Sequence, residues 1–145
     1  TNLCAVCQAQ LRIMKVRYPK PGIVYKGAIP VAEIALNTSD KYLTILISAL
    51  LGNAYKFTQE GTISLECDRL GDDRVFVAVA DTGCGIPPEK HGYVFERFTK
   101  LDPFSQGNGL GLYLCRLIVT HLHGEIYIDS GYTGGTRIVA ILPRR

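Results

Sequence analysis

Asp81-Thr82-Gly83-Cys84-Gly85-Ile86 follows directly on an apolar run, Val75 to Ala80. A strand over that run would deliver the Asp81 carboxylate to a sheet edge. Gly83 and Gly85 bring no side chain, so a planar ligand could approach the backbone closely. A carboxylate held there accepts a hydrogen bond from an exocyclic amine and so selects adenine over guanine; Asp-x-Gly also fits a plain capped turn. Further on, Gln106-Gly107-Asn108-Gly109-Leu110-Gly111-Leu112 sets three glycines at alternate positions at the mouth of a helix. Free N–H groups and the positive helix end would face a phosphate brought there, although the same glycines fit a hinge. The spacing is neither that of a P-loop nor G-x-G-x-x-G after a strand. Asn53 and Lys56 lie three apart, which on a helix projects an amide oxygen and an ammonium from one face. The first suits Mg²⁺ and the second a phosphate, against a plain reading as a polar position and a solvated charge.

The elements that must position these groups follow from period and punctuation. Leu3, Cys7, Leu11, Met14 and Tyr18 recur at steps of three and four, which predicts an amphipathic helix ended by Pro19 and Pro21 and laid on a sheet. Ile23-Val24-Tyr25 and Ile34-Ala35-Leu36 read as two short strands. Asn37-Thr38-Ser39-Asp40 is a natural N-cap, and Leu43, Leu46, Ile47, Leu50, Leu51 and Ala54 continue as a helix to Phe57. Ile63, Leu65 and Cys67 alternate with polar residues, and after the turn Gly71-Asp72-Asp73 the run Val75 to Ala80 is apolar on both faces, so a hairpin with an inner second strand is expected. Asp81 to Gly109 is irregular, with a short helix expected around Pro88 to Phe95. Gly111 to Leu122 reads as a helix, and Glu125 to Ile128 and Arg137 to Leu142 as a final hairpin around Gly131 to Gly135. Together these predict an α+β two-layer sandwich, a mixed β-sheet covered on one face by about three helices, in one domain over residues 1–145.

Composition bounds the function. Hydrophobic residues make up 47% and charged residues 20% of 145, ordinary globular usage for one core. A formal charge of +3, scattered along the chain, gives no stripe for nucleic acid. No run reaches a membrane-spanning length, and the start at Thr1 without an initiator Met reads as a cut from something longer. The five cysteines fit reduced thiols in a cytoplasmic protein, and Cys4-x-x-Cys7 shares one helix face rather than forming half of a metal site.

Asn53-Ala54-Tyr55-Lys56-Phe57-Thr58, Asp81 to Ile86, Phe95-Glu96-Arg97-Phe98, Gly107 to Leu112 and Gly134-Gly135-Thr136 resemble, in order and spacing, the N, G1, F, G2 and G3 boxes of the catalytic, ATP-binding domain of two-component sensor histidine kinases. The resemblance implies the Bergerat ATP-binding fold, with ATP and Mg²⁺ as ligands. It implies that Asp81 binds the adenine amino group with help from the Gly85 backbone and the Thr136 hydroxyl, and that Phe57 lines the adenine. Gly83 and Leu110 fall within the nucleotide-binding boxes. Asn53 would hold Mg²⁺, Lys56 would meet the phosphate chain, Arg97 and Lys100 would be lid cations on the β and γ phosphates, and Gly107, Gly109 and Gly111 would let the lid fold over them.

The implied activity is an ATP-dependent phosphotransfer to a histidine on a separate dimerisation segment, within a homodimeric parent that is cytoplasmic or anchored in the inner membrane. A response regulator is the indirect partner, and the 145-residue chain alone is expected to be monomeric. None of His91, His121 and His123 is followed by Glu or Asp, as a phospho-accepting histidine in this family would be. One position departs from the pattern: Ala49 stands where the family usually has another Asn and where gyrase, Hsp90 and MutL carry an acid. That opposes a water-activating ATPase. It also leaves open a catalytically weak nucleotide-sensing or docking module.

Overall fold

The computed structural model describes residues 1–83, Phe95 and residues 111–144. Helix α1, Leu3–Arg17, starts where the Asn2 side chain accepts from the Cys4 N–H at 3.1 Å, and it buries Leu3, Cys4, Cys7, Leu11 and Met14. Strand β1 follows at Ile23–Ala28. Helix α2, Asp40–Phe57, is capped by the Ser39 hydroxyl, which accepts from Lys41 N–H at 3.1 Å. Its inward side chains, Leu43, Leu46, Ile47, Leu50, Leu51 and Ala54, are all buried, at about 1.5–3 kcal/mol for each large one. Strands β2 (Gly61–Leu70) and β3 (Arg74–Asp81) form the expected hairpin, turning at Gly71 with φ 73°. Helix α3 (Gly111–His121) and strands β4 (Glu125–Ile128) and β5 (Thr136–Pro143) complete the order.

The strands lie in one sheet in the order β1-β2-β3-β5-β4, with β1 parallel to β2 and the other neighbours antiparallel. Helix α2 is the crossover between the parallel pair. The inward residues of β2, β3 and β5, among them Leu65, Val77 and Ala140, join the helices in one apolar cluster. On the opposite face Arg137 donates to Glu66 and Asp129, each at 3.0 Å. The α+β fold is therefore the one expected, with three described helices on one face of a mixed sheet.

Ile34-Ala35-Leu36 departs from expectation. It forms only a bridge between Asn2 and Ala35, outside the five-stranded sheet. Leu3 N–H donates to Ile34 O, Leu36 N–H to Thr1 O, and Ile34 N–H to the Asn2 side chain, so the segment spends its backbone groups on the start of the chain. Ile34 and Leu36 still plug the core. Cys4 and Cys7 are buried against Cys67 of β2 as core thiols; the Cys7 contact and burial push the Cys67 thiol well above its ordinary range. The expected short helix over Pro88 to Phe95 lies outside the described residues, apart from Phe95, which is buried in the core. No described helix is long and apolar enough to cross a membrane.

Candidate functional site

Asp81 is the last residue of β3 and follows the inward set Val75, Val77 and Val79, so alternation aims its carboxylate at the core side of the sheet. Only 4% of the residue is exposed. Burial raises its pKa above the ordinary carboxylate value, and hydrogen bonding to the Gly83 and Thr136 backbone acts in the opposite direction. Gly83 N–H donates to Asp81 Oδ1 at 2.9 Å. An acid held this way is a costly feature for a core and a suitable one for recognising an amine.

The backbone around it leaves no room for side chains. A Cβ on Gly83 would lie 2.3 Å from Phe57 O, and one on Gly135 only 1.9 Å from Asp81 O. Gly135 also has φ 153°, which L side chains rarely adopt. Thr136, opposite Asp81 in the β3–β5 register, is itself buried. The end of α2, the β3 turn and the start of β5 thus meet at one point, and they carry three of the segments that sequence singled out.

Asn53 is half-buried on α2, and Lys56 is exposed with its Nζ 5.6 Å from the centroid of the half-buried Phe57 ring. Gly111 opens α3, exposed, with nothing within 4 Å of the place a Cβ would take. Ala49 is half-buried against the core. Gly85, Arg97, Lys100, Gly107, Gly109 and Leu110 lie outside the described residues.

Four further residues meet at this point, and sequence assigned none of them a role, although Thr58 and Thr82 stand inside the quoted boxes. Thr82 Oγ1 accepts from Thr62 N–H at 3.0 Å against Gly61, whose φ is 130°. Tyr132 Oη donates to Asp81 O at 3.2 Å. Lys20 Nζ donates to Thr58 O at 3.4 Å and sits 5.1 Å from the Tyr55 ring centroid. Thr58 is wholly buried with its hydroxyl unpaired among the described residues. Two clefts, of about 320 and 200 Å³, lie at the other end of β5, beside Asn37, Arg144, Thr38 and His123. Their volume does not mark them as the site, because neither holds a buried carboxylate.

The family described as histidine kinase-, DNA gyrase B-, and HSP90-like ATPase matches residues 38–145. The adaptive-response sensory kinase SasA of Gloeothece citriformis is 33% identical over 141 residues, covering 95% of this chain and 36% of that protein. The chain therefore spans about a third of that relative's length. Among solved structures, the mycobacterial sensor histidine kinase MprB superposes with a TM-score of 0.85 at 24% identity over 100% of this chain and 96% of that one. Full-length ShkA in complex with AMPPNP gives 0.83 at 24% identity over 99% of this chain and 30% of that one. At those identities the two structures speak for the fold.

Proposed function

This chain belongs to the family of histidine kinase-, DNA gyrase B-, and HSP90-like ATPases, and on that premise we propose that residues 1–145 are one catalytic domain that binds ATP through the Asp81 corner and serves a sensor histidine kinase. The observation that carries this is the buried Asp81 carboxylate, set between glycine backbone and Thr136 at the end of a strand. In this reading Asp81 accepts from the adenine amino group, assisted by Gly83, Gly85 and the Thr136 hydroxyl, and Phe57 covers the ring. Lys56 meets the phosphates. Arg97, Lys100, Gly107, Gly109, Leu110 and Gly111 complete the enclosure over the γ-phosphate.

Mg²⁺ fits the donor set in a limited way. The Asn53 amide oxygen gives one hard ligand, and Mg²⁺ at a nucleotide keeps several waters and phosphate oxygens besides. Bound there, it would supply charge neutralisation on the transferring phosphoryl group. The residues of this chain contribute positioning and positive charge rather than a nucleophile, which is what phosphoryl transfer asks of a protein. The acceptor is then a histidine on a dimerisation segment of a longer cytoplasmic or membrane-anchored homodimer, and a response regulator receives the phosphate from it.

Titration calorimetry of the chain with a non-hydrolysable ATP analogue and Mg²⁺ tests the reading: saturable heat is expected, lost in Asp81→Asn. No heat from the parent chain, or equal affinity in the variant, would refute it. Ala49 supports a second reading, a slow or inactive nucleotide sensor, because an apolar side chain partly buried there cannot ligate a metal. Phosphorylation by the full-length parent before and after Ala49→Asn separates the two; a large gain in the variant favours the second.

A further inference from the structure

We infer that Lys20 is a positioning residue for the purine: from the turn between α1 and β1, its ammonium holds the end of α2 against the backbone that follows Asp81. Lys20 Nζ donates to Thr58 O at 3.4 Å and lies 5.1 Å from the centroid of the Tyr55 ring. Thr58 is the C-cap of α2, so its carbonyl stands at the negative end of the helix, past the last turn that could satisfy it. A lysine ammonium suits such a carbonyl. The Tyr55 ring, tilted against Tyr18 with 5.2 Å between centroids, gives the cation a π face on the same helix end. Two contacts of different kinds thus fix one half-buried side chain.

The turn that presents Lys20 is stiff. Pro19 and Pro21 flank the lysine, Gly22 has φ 90°, and Ile23 N–H donates to Lys20 O at 3.0 Å. Proline and glycine at the two central positions are the pattern of a type II turn. The same turn reaches the other flank of the corner, because Gly61 N–H donates to Gly22 O at 2.8 Å, and Gly61 lies so close to Thr82 that a Cβ there would meet its hydroxyl. On the α2 side, a Cβ on Gly83 would meet Phe57 O, one residue before Thr58. Contacts from the turn therefore run through Thr58 and Phe57 to Gly83, and through Gly61 to Thr82. These are the two residues after Asp81, and Gly83 N–H holds Asp81 Oδ1 at 2.9 Å. A shift of the α2 end would move the Phe57 ring and the Gly83 N–H together, so the turn sets the gap that a purine must enter. Lys20 precedes every box on which the family resemblance rests, and it reaches the corner through the fold.

This inference rests on the nucleotide reading proposed above, and calorimetry with adenosine and a non-hydrolysable ATP analogue separates the two. Lys20→Met keeps the length of the side chain and removes the charge. It is expected to weaken both ligands by the same factor, about fivefold, because the loss falls at the purine they share. Lys20→Arg keeps a cation that can meet the carbonyl and the ring, and it should bind within about twofold of the unaltered chain. Hydrogen exchange without ligand adds a readout that general destabilisation would not reproduce. In Lys20→Met the Gly83 amide should exchange faster while those of Val77 and Val79 keep their rates; a loss of stability alone would speed all three. Should Lys20→Met fail to fold, Lys20→Gln, which keeps a donor without the charge, gives the same test with the same expected direction. Unchanged adenosine affinity, or a loss confined to the ATP analogue, overturns the role of Lys20 and leaves the nucleotide reading standing. No binding of either ligand by the unaltered chain refutes the nucleotide reading and this inference with it.

Discussion

The adenine corner and the phosphate side of the proposed site are built on different principles. At the corner, Asp81, Thr136 and Thr58 are buried, and Gly83 and Gly135 press backbone on backbone, so the recognition geometry is an extension of the sheet's own register. On the phosphate side, Asn53 is half-buried and Lys56 is exposed, held by little beyond the helix that carries them. Shape is fixed where discrimination among bases is needed, because a rigid, dry hydrogen-bonding site rejects the wrong partner by leaving its own groups unpaired. Charge is left in water where a triphosphate must arrive and leave, since an exposed ammonium attracts phosphate at small desolvation cost.

The sharpest way to break this contrast is Gly135→Ala. The added methyl would enter the Asp81 carbonyl at a φ that alanine rarely adopts, so a loss of about 3 kcal/mol or more in stability is expected, read as a fall in Tm and denaturation midpoint. Gly111→Ala, with open space around it, should move Tm by only a fraction of that. Equal effects at the two glycines would mean that the corner is not the rigid member of the pair.

Asp81→Asn comes next in size. Calorimetry should show ATP and adenosine both weakened by about 100-fold or more, because each presents the same amino edge to an amide that has lost its charge. The apo variant should melt no lower than the parent, since the substitution removes an ionised group from a buried position. Lys56→Met should act differently, weakening ATP by about tenfold, leaving adenosine unchanged and flattening the salt dependence of ATP binding. A variant at Lys56 that weakens adenosine would place that side chain at the corner instead.

How much of this was legible in sequence follows the same division. The apolar period of α2 and the apolar run Val75 to Ala80 are local patterns; the first predicted its helix, and the second an inner strand that delivers Asp81 to the sheet edge. Ile34-Ala35-Leu36 shows the limit, because an apolar triplet signals burial but not a partner, and its backbone bonds go to Thr1, Asn2 and Leu3 rather than to the sheet. The roles of Thr58, Thr82, Tyr132 and Lys20 were not legible for a related reason, even though Thr58 and Thr82 stand inside quoted boxes. Each owes its place at the corner to contacts across more than fifteen residues of chain, and a polar residue at a helix end or turn looks the same whether or not it meets Asp81.

The smallest expected effect is one of slope rather than loss, and it tests the corner through its charge. Burial raises the Asp81 pKa, so the ionised form is the one that the fold disfavours. Its contribution to apo stability is therefore fully present below the unfolded-state pKa and is lost as pH rises through the folded-state pKa. Adenine needs the opposite form, because only the ionised carboxylate offers both oxygens as acceptors. Lowering the pH from about 7 to about 4 should thus weaken adenosine while Asp81 by itself adds to apo stability, two trends of opposite sign from one proton. Adenosine is the ligand to use, since it has no phosphate to titrate. In Asp81→Asn the opposing contribution to stability should vanish, so subtracting its pH profile from the parent's isolates the carboxylate. Parallel profiles would mean that Asp81 titrates as an exposed acid and that the corner is wetter than its packing implies.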